Sequence, residues 1–466
     1  MSKPLVNLNV NPCTMCMPMG SVTAFYGIKG SMSILHGSQG CATYIRRHMA
    51  THYNEPVDIA SSSLTEQGTV YGGEKNLLKG LENLIKLYDP EVIGVSTTCL
   101  AETIGEDTDA IVDKFLKMNP DCHAKIITVA TEGYGGSQYE GYFRALHAIL
   151  SQTLADKTIT KATSGIRDSR PLINLVTPVL SPADTRWLKS FLKDMGIRFV
   201  LFPDLSDNLD GVTMHNYERL KKQGTSLPEI ASMADADLTI EFSEFVDKTS
   251  SPAQYLKDHC DIPFHRLPLP SGVRGMDRLI ELLEKYGAHV SDECVKERGR
   301  YLDAMVDAHK YYGSVRAAVY GEPDFVKSMV HLCCENGIVP VLVATGSACK
   351  MLKEAIANEI NQVKAIYKIE ESQILENCDF EVIEQGCIDL KVQIMIGSSD
   401  GRRISHKLGI PLIRCAFPIH DYVGGQRVRT VGFDGSLSLL DQIANAMIAR
   451  TEATYRQELY HTYYKG

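Results

Sequence analysis

The 466-residue chain contains thirteen cysteines, and three segments set some of them apart. These are Asn11-Pro-Cys13-Thr-Met-Cys16-Met-Pro-Met-Gly20, His36-Gly-Ser-Gln-Gly-Cys41 and Ser96-Thr-Thr-Cys99-Leu-Ala-Glu-Thr-Ile-Gly-Glu-Asp107. Each places cysteine beside glycine, proline, serine or threonine, where backbone amides can approach a ligand closely. Thiolates are the usual ligands of iron–sulfur clusters, and hydrogen bonds to the sulfurs tune the potential. Zinc competes for the same chemistry: Cys13-x-x-Cys16 is half of a zinc knuckle, but no second CxxC or His pair follows at the expected spacing. A thioredoxin-like pair would join a strand to a helix, whereas this CxxC precedes the first strand–helix unit. The plain alternative is three buried thiols in tight turns. Three ligands leave a four-ligand cluster short by one, and a cluster completed by a second polypeptide would account for that.

The remaining composition narrows the class. Lys+Arg 48 against Asp+Glu 57 gives a net charge of −9, which argues against a nucleic-acid partner. Hydrophobic residues at 44% and charged residues at 23% exclude a disordered or collagen-like chain. No run of about 18 apolar residues is present to span a membrane, and the first residues lack the apolar core of a signal peptide. The expected location is the cytoplasm, where thiols stay reduced and a disulfide framework is not expected. Cys260, Cys294, Cys333, Cys334, Cys349, Cys378, Cys387 and Cys415 are read as core thiols, since free cysteine packs as a small hydrophobe. Walker A and HExxH motifs are missing from the sequence, so NTPase and zinc-hydrolase chemistry has no local support.

The elements that must position these cysteines alternate. Leu77, Leu78, Leu81, Leu84, Ile85 and Tyr88 lie at helical spacing, and Asp89-Pro90 stops the helix. The apolar run from Glu91 then reads as a strand that delivers Cys99 at its end, and Ile126–Thr131 is the next strand. Later strands are expected at Leu172–Val176, Phe199–Pro203, Ala317–Tyr320, Val339–Ala344, Val392–Ile396 and Pro411–Cys415. Helices are expected at Pro182–Met195, Phe325–Glu335 and Asp292–Tyr312. Such alternation predicts an α/β chain of three Rossmann-like domains with mostly parallel sheets, over 1–165, 166–312 and 313–466. The polar stretch Asp156–Arg170 is the expected first linker. Ligands of open parallel sheets bind beyond the carboxyl ends of the strands, which directs attention to Cys99, Thr131–Gly136, Asp204–Gly211 and Pro418–Gln426.

The three cysteine segments resemble those of β-type subunits of the nitrogenase component 1 family. That family includes catalytic β chains (NifK), cofactor-assembly chains (NifN) and the β chains of nitrogenase-like reductases. HGSQGC and TTC-x-AE-x-IG-[ED]-D carry the likeness, and it continues through Phe202-Pro-Asp-Leu-Ser-Asp-Asn-Leu-Asp-Gly211, Glu297-Arg-Gly-Arg-x-x-Asp-x-Met305, Tyr320-Gly-Glu-Pro-Asp-Phe325 and Phe417-Pro-Ile-His-Asp421. The resemblance implies that Cys16, Cys41 and Cys99 bind a cluster at the interface with an α-type partner (NifE- or NifD-like) in an α2β2 heterotetramer. That cluster would be a four-iron 4Fe–4S cluster in an assembly complex or an eight-iron 8Fe–7S P-cluster in a catalytic one. It also implies an ATP-dependent iron protein as transient electron donor. No counterpart of Cys13 is placed.

Two departures bear on the role. Catalytic β chains of the family carry a serine in a Thr-Pro-Ser-Phe turn that can ligate the oxidised P-cluster; the matching turn here is Thr131-Glu-Gly-Tyr134, with Gly133 in place of that serine. Leu205–Gly211 and Gly424-Gly-Gln-Arg427 followed by Val431-Gly-Phe look more like NifN. All three cysteines are kept, as in catalytic chains. On balance the sequence places iron–molybdenum cofactor assembly ahead of a catalytic β role. Among neighbouring residues, His36 and Ser96–Thr98 are candidate donors to cluster sulfur, although a strand-end hydroxyl more often caps the next helix. Arg46 and Arg47 would steer an anionic cluster or form a solvated face. Glu102 and Asp107 read as an acidic helix start.

Overall fold

The structure is a computed structural model that describes residues 13–156, 170–213, 218–220 and 222–464. The expected linker Asp156–Arg170 lies, apart from its two end residues, outside them. The strands form three sheets, every pairing parallel. The first has the order β2-β1-β3-β4, with β1 Ser31–His36, β2 Ala60–Ser61, β3 Val92–Thr97 and β4 Lys125–Val129. The second runs β6-β5-β7-β8, with β5 Leu172–Val176, β6 Arg198–Phe202, β7 Leu238–Glu241 and β8 Phe264–Arg266. The third runs β11-β10-β9-β12-β13, with β9 Arg316–Tyr320, β10 Val339–Ala344, β11 Gln373–Leu375, β12 Ile394–Gly397 and β13 Leu412–Arg414. Three parallel sheets with helical crossovers are the α/β architecture the alternation predicts.

Contacts gather the chain into two compact units. One, Met15–Leu267 with Leu283–His289, carries the first and second sheets; the other, Met1–Thr14, Pro268–Leu282 and Val290–Gly466, carries the third. Among the described residues no helix is long and apolar enough to cross a membrane.

Within the first sheet, burial follows the sequence pattern. The helix Glu74–Tyr88 turns Leu77, Leu81 and Leu84 inward and ends on Asp89 in the left-handed conformation (φ 49°). Each such leucine contributes on the order of 2 kcal/mol through apolar burial. β3 is buried along its whole length, as a central parallel strand must be. The first helix, Met17–Tyr26, packs backbone to backbone on Gln138–Leu154. A Cβ on Gly20 would fall 1.9 Å from the Gln138 carbonyl oxygen, and one on Gly141 would fall 2.1 Å from that of Met17. Ser137 starts the second of these helices with a capping box closed by Glu140. Because rigid backbone offers nowhere for a methyl to go, Gly20→Ala should destabilise the chain by about 1–3 kcal/mol. The measurement is a calorimetric Tm, and an unchanged Tm would mean that the two helices can separate at no cost.

Candidate metal centre

Cys16, Cys41 and Cys99 each stand where a helix begins. Cys16 is the N-cap of Met17–Tyr26. It is held by an isolated antiparallel bridge to Ser137 and by Gln138 N–H donating to the Met15 carbonyl at 2.7 Å. Cys41 lies in the first turn of Gln39–Tyr53, which Ser38 caps; β1 delivers this turn. Cys99 opens Cys99–Thr103 directly after β3. β1 and β3 are hydrogen-bonded neighbours in register from Ser31↔Val92 to His36↔Thr97, so their carboxyl ends present Cys41 and Cys99 side by side. Helix starts carry partial positive charge and unpaired amides, which favour anionic sulfur.

The three thiols lie near enough for each to feel the others' charge. Burial raises the Cys16 pKa, and the neighbouring Cys41 and Cys99 add to that rise, while the amide of Met19 works against it. Burial likewise raises Cys41, with Cys99 the next cause. Ligation of a metal therefore has to expel protons from the thiols, and the metal charge has to offset repulsion between the thiolates. Cys99 is the one cysteine of the thirteen that is exposed, while Cys16 and Cys41 are partly buried. The amide of Gly133 donates to Cys99 Sγ at 3.1 Å. A Cβ on Gly133 would lie 3.3 Å from Cys99 Sγ and 3.6 Å from Cys16 Cβ, so the Thr131–Tyr134 turn borders the thiols at this glycine.

Cys13 belongs elsewhere. It is buried in the unit of the third sheet, and its amide donates to the Cys378 carbonyl at 3.3 Å. A hydrogen bond with the Cys378 side chain is the first cause, ahead of burial, of its strongly raised pKa. The CxxC segment is thus divided, Cys13 going with Cys378 and Cys16 with Cys41 and Cys99. Among the described residues no three His, Cys, Asp or Glu side chains, Cys16, Cys41 and Cys99 included, gather closely enough to hold a single metal ion; this removes support from the zinc-knuckle reading, whereas a cluster of several irons holds its thiolates farther apart than one ion does. Of the eight expected core thiols, Cys294, Cys333, Cys387 and Cys415 are buried, whereas Cys260, Cys334, Cys349 and Cys378 are only partly so; burial pushes Cys387 up to about 12.

The surrounding candidates sort by what they touch. His36 is fully buried; its Nδ1 lies 2.9 Å from Ser62 Oγ. Its Nε2 stands 3.5 Å from Glu106 Oε2 without completing a hydrogen bond. Burial lowers its pKa, opposed by Glu106, and Glu106 in turn accepts the Gly73 amide at 2.6 Å. His36 therefore ties β1 to two loops. Arg46 lies 3.9 Å from Asp58 with most of its side chain in solvent, and Arg47 is exposed; both form a solvated face. Asp107 caps Thr108–Met118 through the Ala110 amide.

Residues 16–448 match the model of the family described as nitrogenase component 1 type oxidoreductase. The chain is 34% identical over 456 residues to the nitrogenase molybdenum-iron protein beta chain of Methanococcus maripaludis, covering 94% of each. It is 32% identical over 461 residues to the nitrogenase vanadium-iron protein beta chain of Trichormus variabilis, covering 96% of each. The solved structure described as "Nitrogenase Cp1 at pH 6.5" matches with a TM-score of 0.88 at 30% identity, over 97% of this chain and 96% of that one. The chain belongs to the nitrogenase component 1 family and is of its β type.

That family implies an iron–sulfur cluster, and the residues present fit one. The donor set is three thiols. A glycine keeps the neighbouring turn clear, and a backbone amide already points at one sulfur.

Proposed function

We propose that the chain is the β subunit of a catalytic nitrogenase or nitrogenase-like reductase, in which Cys16, Cys41 and Cys99 hold this chain's share of an iron–sulfur cluster completed by an α-type partner in an α2β2 complex. The observation that carries the reading is the meeting of the three thiols, each at a different helix start, with Cys99 open to the surface. An exposed thiol beside two partly buried ones suits a cluster shared across an interface. The relatives named above are catalytic molybdenum-iron and vanadium-iron β chains. They favour the catalytic role over the cofactor-assembly role that the sequence alone placed first. The Leu205–Gly211 segment behind that preference serves the scaffold: Arg186 pairs with Asp210 at 2.6 Å and bonds the Ser206 carbonyl at 2.6 Å.

When bound, the cluster supplies one-electron transfer. The chain's own residues orient it and shield it. Cys16 and Cys41 offer partly buried sulfur, Cys99 offers sulfur at the open face, and the Gly133 amide donates a hydrogen bond to Cys99 Sγ. The deciding experiment purifies the chain with its α-type partner and measures iron per αβ pair, the EPR spectrum, and substrate reduction driven by an ATP-dependent iron protein. A complex without interface iron ends the cluster reading. A complex with iron that passes its cofactor to another protein but reduces no substrate restores the assembly role.

Expressed without the partner, the chain should associate, because the cysteine face would be left uncovered. Size-exclusion chromatography checks this, and a monodisperse, iron-free monomer with a high Tm would count against a shared cluster.

A further inference from the structure

Three hydroxyl groups precede Cys99, and their surroundings differ. Ser96 Oγ shares a 2.6 Å hydrogen bond with Ser21 Oγ. Thr97 Oγ1 accepts the Thr131 amide at 3.0 Å, and the Thr97 carbonyl accepts the Thr131 hydroxyl at 2.8 Å. Both belong to the packing of β3. Thr98 Oγ1 has no hydrogen-bond partner, although the residue is only 1% exposed. Thr98 is the N-cap of Cys99–Thr103, where a threonine hydroxyl ordinarily accepts a first-turn amide, yet no such bond forms. Native structures rarely leave a buried hydroxyl unpaired, because it has been stripped of water with nothing in return.

The position of this hydroxyl is specific. It rests against Gly37: a Cβ there would fall 1.8 Å from Thr98 Oγ1, so only glycine leaves room. Gly37 leads through Ser38, Gln39 and Gly40 into Cys41, and Thr98 itself leads into Cys99. The unpaired donor therefore lies between the two cysteine turns, next to the backbone of one and adjoining the other.

We propose that the Thr98 hydroxyl is reserved for the cluster, donating a hydrogen bond to a sulfur on the side held by Cys41 and Cys99, and so helps set the redox potential. This rests on the reading that these cysteines hold an iron–sulfur cluster. A donor to sulfur withdraws negative charge and stabilises the reduced, more negative state, which raises the potential. Thr98 is a positioning and tuning residue in this account.

The test compares the wild type with Thr98→Val, which keeps the shape and removes the donor, and Thr98→Ser, which keeps the donor. Each is purified as the complex with the α-type partner. Metal analysis gives iron per αβ pair, and an EPR-monitored titration gives the midpoint potential. The expected result is unchanged iron in all three, a more negative potential in the valine variant and a wild-type potential in the serine variant. Equal potentials at equal iron in wild type and Thr98→Val would overturn the proposal while leaving the cluster reading intact. Iron loss in Thr98→Val with an unshifted potential in the cluster that remains would also overturn it, assigning Thr98 to packing. A wild-type complex without interface iron would overturn both readings.

Discussion

Cys41→Ala and Cys99→Ala will each strip most of the iron from the complex, whereas Cys333→Ala and Cys378→Ala will leave it in place. Removing even a residue that only supports a ligand commonly lowers metal affinity about 10–100-fold, so losing a thiolate itself should cost at least that. The two control cysteines lie in other surroundings. Cys333 is 1% exposed within the helix Pro323–Glu335, and burial drives its pKa well up. Cys378 donates to the Thr345 carbonyl at 3.3 Å in the unit of the third sheet. Alanine at either site costs packing and leaves no metal unligated. Iron and acid-labile sulfide analysis of the four purified variants checks this, and equal iron in all four would remove the cluster assignment.

The alternation of β3, β4, β5, β6, β9, β10, β12 and β13 was legible because central parallel strands are continuous apolar runs and their helices carry one apolar stripe, whereas β7, β8 and β11, three or four residues long, were not read. β1 was not legible. Its sequence Ser-Met-Ser-Ile-Leu-His puts serines and a histidine into a strand with five of six positions buried. Those polar groups are accommodated by partners far away in sequence, Ser62 for His36. Yet β1 is the strand that brings Cys41 beside Cys99. Its place was readable only through the resemblance of HGSQGC. The contact of Gly20 and Gly141 with the opposing helix backbone is equally silent in sequence, since glycine there looks like a weak helix former. Nor does the spacing of CxxC reveal that its two cysteines part company.

Several of the strings that carry the family likeness do scaffold work. Asp204 receives Lys189 at 2.6 Å, and Arg298 grips Asp277 through both nitrogens at 2.9 and 2.8 Å. Asp421 takes a two-point pair from Arg414 and a hydrogen bond from Ser399. Burial pushes the Asp421 carboxyl up, but these bonds outweigh it and hold it at about 2. A depressed carboxylate stabilises the fold above its ordinary range and loses that contribution only as the pH falls toward 2. Such a string identifies the family through its architecture, which explains why it could not distinguish assembly from catalysis.

The residue that does bear on that distinction is Gly133. Gly133→Ser will alter the spectrum of the oxidised cluster more than that of the reduced one. The turn stands at the right place, since its amide already donates to Cys99 Sγ at 3.1 Å. Gly133 is not among the residues with positive φ, so serine fits the backbone without strain. Its Cβ would meet Cys99 Sγ at 3.3 Å, close enough that Cys99, exposed on a five-residue helix, has to yield by a few tenths of an ångström. The hydroxyl then adds an oxygen donor that glycine lacks. A hard alkoxide stabilises the more oxidised, more positive iron and adds little where iron is reduced and sulfide-bound. The wild-type chain, with no such side chain at this turn, should show no serine-ligated state on two-electron oxidation. EPR and Mössbauer spectra of wild type and variant at matched potentials make the comparison. Identical spectra in both redox states would show that position 133 does not reach the cluster. An equal change in both states would mean that the serine acts by displacing Cys99, because a steric effect on a ligand does not depend on the charge of the iron.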